Sequence, residues 1–340
     1  MKIENSMAEG ELRRVQFTGK SSYTLTLPKD WVERVDLKKG DFVRIIPQPD
    51  GSLLLTAKKT SETAPRIAHI AVMPDQDPDS LLRIFIAKYL AGYQLFRFTS
   101  NDVIPPNLRK TITACTSGLL GLEVVEETAN RIEVQNLLSP EELTVERAAR
   151  RAHLVASSMF ETAMNALEVG NKKMAEGVLE REPGVDRLYF LVLRQLTLAL
   201  QNPALMKELE IEPVGVLDYQ MLMKSVERIA DHATRISEIM LAMEPSEVEP
   251  EILKSLVELG RKAVKVSGDA MHAFFLKDAK LANEAIRLKD DVVKELSLLN
   301  RRLLERPGRV AVNLRIITDS IERAADYGAN IAEIAIDRDR

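Results

Sequence analysis

The chain has 340 residues, 45% of them hydrophobic and 29% charged, which provides for two or three domains with sizeable cores. A net charge of −4 excludes a wholly basic nucleic-acid coat while leaving room for a local basic patch, and the single cysteine, Cys115, excludes an internal disulfide and any cysteine-cluster metal site. No apolar run reaches the roughly 18–20 residues of a membrane span and the polar N-terminus is not a signal peptide, so a cytoplasmic chain without membrane insertion is expected.

Residues 1–62 form the first expected domain, and 11–58 read as short strands joined by turns. Arg13–Phe17 is one strand, and Tyr23–Leu27 alternates polar and apolar residues as a half-buried strand does. Pro28 opens a helical turn over 29–35, where proline is tolerated. Strands at 42–46 and 52–56 flank the hairpin turn Pro49-Asp50-Gly51. So short a segment is marginal alone, and a dimer sharing one core answers the shortage. The run Thr18-Gly19-Lys20-Ser21-Ser22, then Leu27-Pro28-Lys29 with Trp31, then Leu37-Lys38-Lys39-Gly40-Asp41, resembles the AbrB/SpoVT family of DNA-binding domains. That resemblance implies a small swapped-hairpin β barrel made by two chains, with double-stranded DNA as partner. The cations it places near the DNA are Arg13, Arg14, Lys20, Lys29 and Arg34. The competing reading is ordinary surface charge, because Asp30, Glu33 and Asp36 interleave with them. Phosphate contacts position a protein without reading bases, so no operator follows from the set.

Residues 63–140 form the second expected domain, a βαβαββ unit. Strands are expected at 66–72, 93–98, 122–126 and 131–136, the last two forming a hairpin around Ala129-Asn130. One helix follows the loop 74–80 and closes at Gly92; another starts at Pro105-Pro106. Asp75, Asp77 and Asp79 alternate in that loop, but the glycine and terminal glutamate of a calcium loop are missing, so helix capping is expected. His69 and Cys115 read as structural.

The last two expected domains, 141–245 and 246–340, are helical throughout, with apolar residues at helical spacing. Long helices are expected from Ser139-Pro140 through Leu167, from Lys172 to Gln201, and up to Met243. Pro250–Leu276, Ala279–Glu305 and Val310–Asp337 repeat the set, giving two three-helix bundles. The third helix of each carries the same text at an offset of 95: Glu227 matches Glu322, Arg228 matches Arg323, Asp231 matches Asp326 and Glu238 matches Glu333. Residues four apart lie on one helix face, so each copy lines up carboxylates. Like charges so placed weaken a helix by a few tenths of a kcal/mol and call for a compensating cation. Arg235 would supply one to Asp231 in the first copy, but Asn330 replaces it in the second.

Glu-Arg-Ile-Ala-Asp-His-Ala at 227–233 resembles the signature of the PhoU family of phosphate-uptake regulators, and the likeness covers about 144–338. It implies a multidomain protein that ends in an all-α pair of PhoU-like three-helix bundles. Each bundle would bear Glu/Asp-x-x-x-Asp pairs on two helices and bind metal ions there. In the first bundle the pairs are Glu182/Asp186, spanning an unusual Pro183-Gly184, and Glu227/Asp231. In the second they are Asp291/Glu295, reached only by a one-residue slip that avoids Lys294, and Glu322/Asp326. Carboxylate-only sets suit divalent or trivalent ions such as Fe, Mg, Mn, Ca or Zn. His232 lies about 100° round the helix from Asp231 and reads as structural.

Three functions remain open. One is a regulator of phosphate homeostasis with a DNA-binding head, forming a homodimer or larger assembly. The second is an adaptor that docks on a phosphate ABC transporter or sensor kinase, its head serving only to dimerise. The third is a di-iron-type enzyme, ranked last because the Glu-x-x-His pairs of that class are missing from the acidic positions; no catalytic residues are assigned.

Overall fold

The computed structural model describes residues 11–19, 21–47, 51–57, 65–140, 142–243, 248–303 and 308–338. It divides into two compact units, Met1–Pro65 and Arg66–Arg340.

The first unit holds β1 (Gln16–Thr18), β2 (Ser22–Thr24), α1 (Lys29–Arg34), β3 (Val43–Pro47) and β4 (Leu53–Ala57), paired as two separate antiparallel hairpins. The first ladder ends at the pair Gln16–Thr24. Arg13–Val15 and Leu25–Leu27 therefore carry strand-like sequence that finds no partner strand among the described residues of one chain. None of the described residues here is buried. Phe17, Tyr23, Phe42 and Ile45 are all more than half exposed, the shortage of core expected for so short a segment.

The second unit opens with an α/β domain: β5 (Ile67–Ala71), α2 (Pro78–Leu90), β6 (Leu95–Thr99), α3 (Pro106–Gly118), β7 (Leu122–Glu127) and β8 (Arg131–Asn136). The sheet order is β5-β6-β8-β7, with β5 and β6 parallel across the α2 crossover and the rest antiparallel. Phe85 of α2 fills its core against Phe96 and Phe98. Asp77 accepts from the Ser80 amide at 2.8 Å, so the aspartate-rich loop caps α2.

The first bundle comprises α4 (Val145–Val169), α5 (Lys172–Leu179), α6 (Glu182–Gln201), α7 (Pro203–Glu208) and α8 (Pro213–Ala242). The second comprises α9 (Pro250–Leu276), α10 (Ala279–Leu303) and α11 (Gly308–Asp337). Three boundaries differ from expectation. The first long helix begins at Val145, because the Thr144 hydroxyl accepts from the Arg147 amide and caps it there. The helix expected over 172–201 breaks after Leu179. Pro183 has no amide hydrogen to offer the carbonyl four residues back, and its ring crowds that group. Finally, the connection after Gln201 contains the short α7, capped by Asn202 through the Ala204 and Leu205 amides.

One apolar core runs through both bundles. They join along α4–α9 and α8–α11. Across the first seam His153 lies 3.3 Å from the Ser267 hydroxyl, and burial pushes the imidazole down to about 4. Across the second, the rings of His232 and Tyr327 pack at 5.9 Å. These two positions are 95 apart in the chain, so the repeat meets its own copy there. Helix backbones approach closely at Gly328 of α11, where an added Cβ would stand 2.8 Å from the Ser267 backbone nitrogen.

Helix α6 has two working faces. One packs in the bundle through Val185, Leu188 and Val192. The other meets the α/β domain: Phe190 packs on its core, the buried Arg194 donates to the Tyr89 carbonyl, and Arg66 donates to Gln201 at 2.6 Å. Gly92 has φ +86°, and an added Cβ there would lie 2.6 Å from Leu198.

Candidate metal centre

Buried apolar neighbours set the acidic residues of the first bundle. On α8, Val226, Ile229, Ala230 and Ala233 are buried. That orientation leaves Glu227 and Asp231, one turn apart, on the flank toward α6. On α6, Val185 and Leu188 are buried, and Glu182 and Asp186 occupy the first two turns, where the helix dipole favours carboxylates.

The four groups feel one another. Asp186 is pushed up to about 7, first by burial and then by the charges of Glu182, Glu227 and Asp231. Glu182 is also raised, by burial and by Asp231 and Glu227, and a hydrogen bond with Asp186 opposes part of that. Asp186 is thus displaced to about 7, and when protonated it donates to Glu182. Asp231 is raised by burial and Glu227. Cations come from α8 itself. Lys224 lies 3.0 Å from Glu227, and Arg228 lies 3.5 Å from Glu227 and 2.9 Å from Asp231. Asp231 therefore pairs with Arg228, and Arg235 is exposed. With Glu227 and Asp231 turned toward these cations, the tetrad is not drawn into a closed ligand set. Among the described residues no three His, Cys, Asp or Glu side chains are gathered at metal-holding spacing. The donor chemistry still fits a hard cation, because among the described residues no ion pair reaches Glu182 or Asp186, and burial and neighbouring carboxylates outweigh the pull of Lys224 to push Asp186 up to about 7.

The second bundle differs. Asp326 lies 3.6 Å from Lys289 of α10 and 3.8 Å from Arg323. Asp291 is 3.6 Å from Lys294, and Glu295 is 2.6 Å from Lys262 of α9. A helix turns about 100° per residue, so with Lys289 toward α11, Asp291 and Glu295 lie about 200° and 240° away from it. The one-residue slip that preserved the acidic spacing chose the face toward α9 and solvent. The structure does not bring Asp291 and Glu295 to Glu322 and Asp326, and a lysine at the acidic face does not fit a cation.

In the head, Arg13 lies 2.5 Å from Glu11, and Lys29 lies 3.6 Å from Glu33. Arg14 is exposed, Arg34 ends α1, and Lys20 lies outside the described residues. Sequence reading missed Arg228 as the partner of Asp231, although Arg-x-x-Asp stands in both copies at the i,i+3 spacing that brings opposite charges together. It also missed Lys289, for which the repeat offers no counterpart signal.

A PhoU domain model matches residues 149–240 and 256–335, together about half of the chain. A model described as antidote-toxin recognition MazE, bacterial antitoxin, matches 16–63. The chain is 28% identical over 191 residues to the phosphate-specific transport system accessory protein PhoU homolog 1 of Thermotoga maritima, covering 54% of this chain and 80% of that protein. PhoU from Pseudomonas aeruginosa superposes with a TM-score of 0.51 at 21% identity, covering 57% of this chain and 94% of that one. The phosphate transport system regulatory protein PhoU from Streptococcus pneumoniae gives 0.50 at 18% identity, covering 57% and 92%. At these identities the two structures speak for the fold of the helical repeats.

Proposed function

The chain belongs to the PhoU family, and from that premise we propose that it is a non-enzymatic regulator of phosphate uptake whose helical repeats govern a DNA-binding head. The observation that carries the reading is the facing of two carboxylates on α6 by two on α8, with no cation supplied from α6. Glu182, Asp186, Glu227 and Asp231 would hold a divalent or trivalent ion such as Fe, Mn, Mg, Ca or Zn. When bound, such an ion supplies the positive charge that lets all four ionise together. The chain's own residues do the rest. Asp186 ionises fully, and Lys224 and Arg228 release Glu227 and Asp231. Helix α6 then carries any change of position to the α/β domain through Arg194 and Gln201.

The head reads as half of a shared fold. Its hairpins expose Phe17, Tyr23, Phe42 and Ile45, and the MazE-type match supports a second copy covering them in a homodimer. Double-stranded DNA is the proposed partner of the basic set. For the full-length chain, Arg13→Ala with Arg14→Ala is expected to weaken binding to any DNA sequence. Each lost phosphate contact should lower the slope of log K against log salt by about 0.9. Gel-shift titrations at several salt concentrations measure both. Unchanged affinity and slope would remove these two residues from the interface.

A second reading has its own support. Arg13 and Lys29 are already paired with Glu11 and Glu33, which leaves fewer free cations for phosphate. On that reading the head only dimerises, and the repeats dock on a phosphate transporter or sensor kinase. Absence of any DNA binding by the dimeric full-length chain at low salt would favour it.

A further inference from the structure

The two bundles treat their acidic faces differently, and the difference lies in which helix supplies the cation. In the first bundle both nearby cations, Lys224 and Arg228, belong to α8, the helix that bears Glu227 and Asp231. They quiet that helix's own carboxylates; Lys224 also lies 5.3 Å from the ring centre of Tyr189 on α6, but among the described residues neither forms an ion pair with Glu182 or Asp186. In the second bundle Lys289 reaches from α10 to Asp326 on α11, at 3.6 Å, and Arg323 lies 3.8 Å from the other oxygen. Lys289 and Asp326 are each about one-third exposed or less, so the pair sits in the helix seam. Lys289 also lies 3.7 Å from Asp290. Glu295, which would have to complete an acidic site, is bridged instead to Lys262 on α9.

We infer that only the first bundle takes a metal ion, and that Lys289 is a built-in cation doing in the second bundle what the metal does in the first. The inference rests on the metal reading above. A metal ion and an ammonium group solve the same problem, a carboxylate facing a neighbouring helix in a partly dry seam. They differ in that the metal can leave and the lysine cannot. The second bundle is therefore a permanent latch between α10 and α11. The first is a conditional one between α6 and α8, and α6 is the helix that also holds the α/β domain.

The test uses the full-length chain, stripped with chelator and dialysed against Mn2+, with bound metal read by elemental analysis. Asp326→Asn is expected to keep the wild-type Mn2+ content, Asp231→Asn to fall to background, and Lys289→Glu to bind roughly twice the wild-type amount. Loss of Mn2+ from Asp326→Asn equal to that from Asp231→Asn would overturn the inference. A wild type that takes up no Mn2+ would overturn the metal reading itself and the first half of the inference with it. The latch is then judged by thermal melts in chelator. If Lys289 and Asp326 form the pair, Lys289→Met lowers the melting temperature of the wild type but not of the Asp326→Asn variant. Equal losses in both backgrounds would overturn the latch as well.

Discussion

Asp186→Asn is expected to abolish metal uptake and, in the same protein, to raise the melting temperature of the metal-free chain at pH 8. The two effects have one cause. Asp186 is crowded by burial and by three other carboxylates, which pushes it up to about 7 from an ordinary 3.8. A carboxyl raised in the fold contributes stability below its unfolded value, and loses it as pH rises through the folded one. Above about 7 the metal-free fold must either hold a repelled charge or give way, and a neutral asparagine removes that choice. The advantage of the variant should be full above about 7 and shrink toward zero as pH falls to 3.8. Melting curves in chelator across that range, beside Mn2+ content, measure both. Metal uptake equal to wild type would remove Asp186 from the centre, and a melting temperature no higher at pH 8 would contradict the crowding. Asp291→Asn serves as the control, expected to change neither, since Asp291 faces Lys294 and solvent.

Gly328→Ala is expected to destabilise the second unit, although alanine is the better helix former. The new methyl would stand 2.8 Å from the Ser267 nitrogen and 3.1 Å from its Cα, both backbone atoms of α9 that cannot turn aside. Overpacking of this kind costs about 1–3 kcal/mol, offset by about 1 kcal/mol of helix propensity. The net loss of up to about 2 kcal/mol should lower the melting temperature by up to about 8 °C. Gly260→Ala offers the contrast. Its methyl meets only the Met164 side chain, at 2.1 Å from the sulfur and 2.7 Å from Cγ, and that buried but long and unbranched chain can adjust its rotamer where a backbone cannot. It should cost less than Gly328→Ala, and equal losses at the two glycines would show that backbone proximity is not the cause.

The helices were legible because apolar spacing at a period of 3.6 survives in one chain. The repeat made the first acidic pair legible too, since charge recurs beside a core that recurs. What stayed hidden is whatever depends on facing between helices. Nothing in the text of α10 tells which of Lys289, Asp291 or Glu295 looks at α11; only packed neighbours decide it. The break at Glu180–Arg181 was half visible, because Pro183 announces a defect but not whether the helix bends or restarts. Thr144 was outcompeted in reading by the stronger start signal at Ser139-Pro140, yet it makes the cap. In the head, strand patterns at Arg13–Phe17 and Tyr23–Leu27 promised longer strands than one chain pairs.

Helix α6 limits how far this molecule can be treated as a set of exchangeable modules. Its outer face holds Leu191 at 2% and Arg194 at 4% exposure, covered by the α/β domain. Cut away at residue 140, the repeats would bare that face, and an apolar strip beside a guanidinium without its carbonyl invites self-association. Proteolysis should therefore find no resistant fragment that begins at the repeats. Recombination that swaps the α/β domain would have to bring a matching α6 along. The boundary between the compact units falls after Pro65, not between sheet and bundle.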